Sequence, residues 1–272
     1  MQGDRERKPS WDAVMQLPRE WELYRRLISG IPEDIGVKDL VLGRHWVFIE
    51  AESGCGIAML TSGGRGMCNL GDNPLEMSLR EFACLSTSWN FPEASVGVAA
   101  LNAWYSTPEH AKAIGMKVED KISNDGFELY RSICAGKKVT VVGHFPLIER
   151  LADECELTIL ERVPTGVDYP DPACEYVIPH QDFTFITGIT LINKTLPRLL
   201  QLSKGTAGSV IMVGPSVVPA TLFYEYGVDC MAGSVVDDPE RARLTIMQGA
   251  TSGIFGHGVQ KMRVERPGWP AQ

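Results

Sequence analysis

The acid–base chemistry available to this chain rests on isolated residues, because its histidines and carboxylates form no local cluster. His45, His110, His144, His180 and His257 lie far apart in sequence. His144 suits a proton shuttle near neutral pH, and Glu93 and Glu161 suit general acid–base work. Each has a structural reading beside the chemical one. Asn90 and Glu93 bracket a helix start, so capping explains them as well as ligand orientation does. Glu161 is either a solvated strand-end carboxylate beside Arg162 or the acidic residue that holds a ribose diol in dinucleotide-binding folds. The familiar catalytic signatures are absent: there is no G-x-S-x-G, no G-x-x-x-x-G-K-[ST] and no H-E-x-x-H. A metal site would have to be assembled by folding, for example from His144 or His180 with carboxylates, and its ligands stay unassigned. The seven cysteines, at 55, 68, 84, 134, 155, 174 and 230, are odd in number and contain no C-x-x-C. That usage argues against a disulfide framework or zinc knuckle and for a reducing, cytoplasmic setting.

The elements that must position these residues follow from periodicity. Residues 1–10 read as a charged tail with no apolar run behind it, hence no signal peptide. Helical spacing runs from Trp11 to Ser29, with a break or start at Pro18. Strand-like runs follow at 40–42, 46–49 and 57–60, the last two joined as a hairpin. Ser78-x-x-Glu81 is a capping box for a helix reaching about Trp89, and further helices are predicted from Pro92 to Trp104 and from Pro108 to Ile114. After residue 122 the texture changes. Asn124-Asp125-Gly126 predicts a turn and Phe127–Ala135 a short helix. Strands are predicted at 138–143, 157–160, 183–187, 210–213 and 230–235, with helices at 146–154, 195–202, 220–226 and 239–248 between or after them. Val259–Val264 predicts a last edge strand. The uncharged stretch from Gly205 to Tyr224 carries three glycines and two prolines, so it reads as strand, turn and helix and not as a membrane span.

The pattern predicts an α/β protein: a smaller α+β unit over 11–122, then a doubly wound, mostly parallel sheet over 123–272. In such sheets ligands bind outside the carboxyl ends of the strands. That rule selects Gly143, His144, Phe145 and Pro146 after one strand and Glu161 after the next. It then selects Thr187, Gly188, Thr190, Asn193 and Lys194, and finally Gly214 and Pro215. Gly188 could adopt positive φ there. Pro146 fits the first turn of a helix whose amino end would face an anion. Thr195 reads more simply as a helix cap than as a ligand contact, and Lys194 as either an anion partner or a surface lysine. In the first unit, Asn90 and Glu93 bracket the start of a mostly apolar helix that also carries Asn102 and Tyr105, polar groups that must find partners or line a cleft.

Twenty-six Lys and Arg against 34 Asp and Glu give a net charge of -8, which argues against a general nucleic-acid binder. The Trp, Phe and Met content suits a homodimer surface and equally a core.

Taken together, Val141-Val142-Gly143-His144-Phe145-Pro146, Leu160-Glu161-Arg162, Thr187 to Leu196 and Val213-Gly214-Pro215-Ser216 resemble the family called putative heavy-metal chelation. Ser88-Trp89-Asn90, Glu93 to Gly97 and Ala100 to Ala103 resemble its amino-terminal partner domain. The resemblance covers nearly the whole chain after the tail. It implies an enolase-amino-terminal-like α+β domain followed by a Rossmann-like domain, with a ligand crevice between them. It further implies a small-molecule ligand or metal chelate, such as a pterin-, flavin- or siderophore-like chelating compound, bound or processed there. No catalytic residues come with the family. Two alternatives stand beside it. One is a methyltransferase using S-adenosylmethionine, supported by Glu161 and weakened by the missing glycine-rich loop. The other is a non-catalytic metal carrier, against which the scattered cysteines argue.

Overall fold

The computed structural model describes residues 10–66, 68, 70–118, 127–251 and 253–269. The first nine residues of the expected tail, the expected turn at 124–126 and the boundary near 122 lie outside them. Ser10 caps α1 (Trp11–Met15), and Pro18 separates it from a 3-10 turn and α2 (Glu22–Ser29). Leu23, Tyr24, Leu27 and Ile28 fall on one face of α2 and are buried. Strands β1 (Val37–Leu42), β2 (Trp46–Ala51) and β3 (Cys55–Met59) form an antiparallel sheet in that order, with the expected hairpin between β2 and β3.

The capping box is present at α3 (Leu79–Cys84): the Ser78 hydroxyl accepts from Glu81 N, and the Glu81 carboxylate accepts from Ser78 N at 2.8 Å. The α-helix ends sooner than expected, passing into a 3-10 turn at Leu85–Thr87. Ser78→Ala should cost about 1 kcal/mol, read as a lower denaturation midpoint with unchanged slope. Then come α4 (Phe91–Tyr105) and α5 (Pro108–Ala113). Helix α4 is buried almost all round because it packs against β2, β3, α3 and the 3-10 turn after α3. Two of its polar side chains close the open edge of β3 and the chain just past it. Asn102 Nδ2 donates to Ile57 O at 2.9 Å, and the Ser95 hydroxyl accepts from Thr61 N at 3.0 Å.

The larger sheet uses β4 (Lys117–Val118), β5 (Lys138–Val142), β6 (Glu156–Glu161), β7 (Tyr169–Pro170), β8 (Phe183–Thr187), β9 (Ser209–Val213), β10 (Cys230–Val236) and β11 (Val259–Glu265). Among these lie α6 (Arg131–Cys134), α7 (Cys174–Val177), α8 (Ile189–Ile192), α9 (Leu196–Ser203) and α10 (Pro239–Met247). The spatial order is β4-β11-β10-β9-β8-β5-β6-β7. From β7 to β10 every neighbour is parallel, while β11 runs antiparallel to both β10 and β4. In order of appearance the six parallel strands stand third, second, first, fourth, fifth, sixth, which is the doubly wound Rossmann-like order. Alternate residues of β5 and β8 enter opposite cores, so both faces are covered and the strands read as continuous apolar runs.

Three expectations change in this half. The segments 146–154 and 220–226 form 3-10 turns, Ile148–Asp153 and Thr221–Tyr226, in place of α-helices. Leu147 takes a left-handed φ of 63° ahead of the first, which cuts it off from Pro146, and Gly227 stops the second. The segment 127–135 starts as a 3-10 turn before α6. Strand β11 is not the edge, because β4 pairs outside it.

The two sheets share one continuous core cluster that runs from α2 and α4 to β8, β9 and α9. Polar contacts cross the same junction. The buried Tyr24 hydroxyl donates to Leu191 O at 2.8 Å, the Ser216 hydroxyl accepts from Met59 N at 2.8 Å, Arg26 pairs with Glu225, and Arg243 with Asp39. Among the described residues no helix is long and apolar enough to cross a membrane.

Candidate functional site

The strand order reverses between β5 and β8, and the residues following these two strands meet there. Gly143 has φ of 104°, and a Cβ on it would lie 3.1 Å from Thr187 Cγ2 and 3.5 Å from the Phe145 ring. Gly214, at φ of 112°, would place a Cβ 3.6 Å from the same ring. Gly143, Phe145, Thr187 and Gly214 therefore form one surface, with the aromatic ring against both glycines. Pro146 lies in a turn ahead of Leu147 and the 3-10 segment Ile148–Asp153, so no α-helix starts at this point. Pro215 keeps its carbonyl on the Ser234 hydroxyl at 2.9 Å.

His144 stands beside this surface, held from three sides. Its backbone N–H donates to Glu161 at 3.0 Å. Its Nδ1 lies 3.1 Å from both oxygens of Asp168, and its Nε2 3.1 Å from Glu149. Asp168 has a fully covered side chain and also accepts from the backbone N–H and hydroxyl of Thr165. The hydrogen bond to Asp168, helped by Glu149, raises the His144 pKa above its usual 6.5. Burial opposes ionisation of Asp168, but the bonds from Thr165 and His144 outweigh it and hold that carboxyl below its usual 3.8. The result is an imidazole oriented by a covered carboxylate, with its charged form favoured and its Nε2 side facing the exposed Glu149.

The Glu161 carboxylate is not free to hold a ligand. It accepts from His144 N, Arg162 N and Val163 N, which folds the loop after β6 around it. Asn90 caps α4 by accepting from Glu93 N at 3.0 Å and ties down the preceding loop by donating to Arg65 O and Gly66 O. Glu93 accepts from the Ser88 hydroxyl at 2.7 Å. Thr190 is buried and donates to Thr187 O at 2.6 Å. Asn193 accepts from both the N–H and the hydroxyl of Thr195, so Thr195 donates there and does not cap α9 with its side chain. Gly188 has ordinary helical φ; it is glycine because a Cβ would lie 2.5 Å from Val217 N. Lys194, not Gly188, takes the left-handed conformation, at φ of 71°.

Lys194 Nζ is folded back onto Ile192 O at 2.5 Å and lies 6.0 Å from the ring centroids of both Tyr24 and Phe91. Burial pushes its pKa down from 10.5 to about 7. Arg162 lies over the same Phe91 ring at 5.5 Å. The start of α4 thus reaches the ends of β6 and β8 through Phe91. Phe91, Arg162, Asp168 and Glu149 escaped sequence reasoning as site residues. Asp168 is 24 residues from His144 and shares no motif with it, and Phe91 reads as an ordinary apolar residue at a helix start. A separate groove of about 390 Å³ lies away from these residues, between α2 and α9, lined by Leu23, Pro197, Leu200 and Tyr226 among others.

Among the described residues no group of three or more His, Cys, Asp and Glu is arranged to hold a metal ion. Burial raises the thiols of Cys55, Cys84, Cys134, Cys174 and Cys230 to about 12 and that of Cys155 to about 11, so these sulfurs stay protonated at neutral pH.

A family model described as putative heavy-metal chelation matches residues 125–265, and a second with the same description matches residues 24–105. An uncharacterised protein of Methanocaldococcus jannaschii is 29% identical over 253 residues, 88% of this chain and 93% of that one. The crystal structure of a protein of unknown function from Desulfitobacterium hafniense superposes with a TM-score of 0.82 at 37% identity, covering 91% of this chain and 99% of that one. A second, from Pyrococcus horikoshii, gives 0.70 at 21% identity over 90% and 98%, and speaks to the fold alone.

Proposed function

Because the chain belongs to the putative heavy-metal chelation family, we propose that it binds an organic chelator, with or without its heavy metal, in the crevice at the carboxyl ends of β5, β6 and β8. The metal is cargo in this reading and arrives already held by the chelator. The observation that carries it is His144, an imidazole oriented by Asp168 beside the glycine and aromatic surface where the strand order reverses. The ring of Phe145, packed against Gly143 and Gly214, supplies an apolar patch beside His144. The start of α4, capped by Asn90, bounds the crevice on the side of the 11–122 unit.

The donor set favours a chelate over a bare ion. Both ring nitrogens of His144 already face carboxylates, and the buried thiols hold their protons. Glu161 is taken up by three backbone N–H groups, which argues against a ribose-bearing cofactor such as S-adenosylmethionine at that position. Acid–base chemistry, if the ligand is transformed, falls to His144.

Native mass spectrometry of protein purified without added chelators should show a bound small molecule in the wild type and its loss in His144→Gln. Stoichiometric uptake of bare Ni²⁺ or Zn²⁺ by ligand-free protein, with no organic molecule present, would refute this reading.

A further inference from the structure

We propose that Lys194 and Arg162, which flank the ring of Phe91, each bind a carboxylate group of the ligand, so that the chelator taken by this protein is a polycarboxylate. The inference deepens the crevice reading above and rests on it.

Two cations converge on one aromatic ring, and among the described residues neither has a carboxylate partner. The acidic groups of the neighbourhood are engaged elsewhere: Glu93 by Ser88, and Glu161 by backbone N–H groups. Burying an amine without an acid partner is unfavourable. Lys194 also sits at positive φ, a conformation that glycine or asparagine adopts more easily. Two unfavourable features on one residue are characteristic of functional sites. One N–H of Lys194 is used on Ile192 O, which leaves two donors for a ligand oxygen, while Arg162 supplies a planar fork suited to carboxylate.

The arrangement also makes binding proton-linked. The groups facing Lys194 are Tyr24 from α2, whose hydroxyl is held protonated by burial, Phe91 from α4, and across that ring Arg162 from the end of β6. Tyr24 keeps its proton near neutrality, and Phe91 carries none to exchange. Lys194, with its pKa near 7, titrates there, and an arriving carboxylate draws a proton onto it. Affinity should therefore fall as pH rises above about 7, by up to about tenfold per pH unit.

The test is calorimetry with citrate as the probe, from about pH 6 to about pH 8.5, on the full chain. Wild type should bind citrate, and at about pH 8 the heat should depend on the ionisation heat of the buffer, which reports proton uptake. Lys194→Met and Arg162→Gln should each weaken binding at least about tenfold. Lys194→Arg should retain binding and lose the proton uptake, which separates a charge role from a folding role and from titration of His144. Citrate binding unchanged in both Lys194→Met and Arg162→Gln, or no citrate binding by wild type at any of these pH values, overturns the inference. If His144→Gln alone abolishes citrate binding, the crevice reading stands and the carboxylate assignment falls. If only the Lys194 and Arg162 variants abolish it, the assignment stands and the crevice reading falls.

Discussion

Gly97→Val is expected to abolish folding. A Cβ at Gly97 would lie 1.9 Å from Ser86 N and 2.6 Å from Leu85 C, and these are backbone atoms of the turn after α3. No flexible side chain can move aside, so either α4 or that turn must shift. Helix α4 cannot shift cheaply. Its other side is clamped where a Cβ at Gly56 of β3 would lie 2.1 Å from Ala103 N. Overpacking a core with room to adjust costs about 1–3 kcal/mol, and this site has none. The loss should exceed that range and approach the whole stability of a typical domain, about 5–15 kcal/mol. Circular dichroism and soluble yield would show it. Gly115→Ala is the control, since nothing lies within 4 Å of a Cβ there and only its φ of 68° resists substitution. It should cost about 1–2 kcal/mol. A Gly97→Val protein that melts like the Gly115→Ala control would show that the packing around α4 is looser than these distances state.

Asp168→Asn should have the second largest effect, on the site and not on the fold. The His144 pKa is raised chiefly by the hydrogen bond it gives to Asp168, so the amide variant should let it fall toward 6.5, as read by an NMR titration of the imidazole. The sign with respect to stability follows from the two directions. A histidine whose pKa is raised on folding stabilises the protein below about pH 6.5 and loses that contribution as pH rises through its folded value. Asp168, lowered on folding, stabilises above about pH 3.8 and loses its contribution as pH falls through its folded value. The pair therefore stabilises most between those limits, and Asp168→Asn should flatten the stability profile at both ends. With less imidazolium at neutral pH, ligand affinity should drop about tenfold, the scale of one hydrogen bond to a charged group. An unchanged His144 titration in Asp168→Asn would assign the orientation of the ring to Glu149 instead.

Much of the scaffold was legible from residue spacing. The Val-rich run at β5 announced a strand covered on both faces, Ser78 and Glu81 announced a helix start, and the β2–β3 hairpin followed from two apolar runs around Ser53-Gly54. These are local properties, in which each residue's partner lies within a few positions. The strand-end rule also drew Gly143, Phe145, Thr187 and Gly214 from separate places in the chain, and they share one surface in the fold. Length was harder to read. The segment after β5 starts late because Leu147 adopts left-handed backbone ahead of it, and the segment after β9 ends at the left-handed Gly227; leucine carries no signal for such a conformation.

What the sequence determined by itself was the family, the doubly wound sheet beside a smaller antiparallel one, and the set of strand ends at which a ligand could sit. Tertiary structure alone decided what each polar residue at those ends does. Asn90, Glu93, Thr190, Asn193 and Glu161 look alike in sequence, as donors and acceptors near a crevice. In the fold they are engaged with backbone or neighbouring hydroxyls, because buried polar groups must be paired and the nearest partners are local. His144 and Lys194 differ only through contacts that sequence distance conceals. Asp168 reaches one from 24 residues away, while Tyr24 and Phe91 bury the other without offering it an anion. Charge and burial at a point depend on everything packed around it: for His144 the packing joins the segments after β5 and β6, and for Lys194 it joins the end of β8 to α2 and α4.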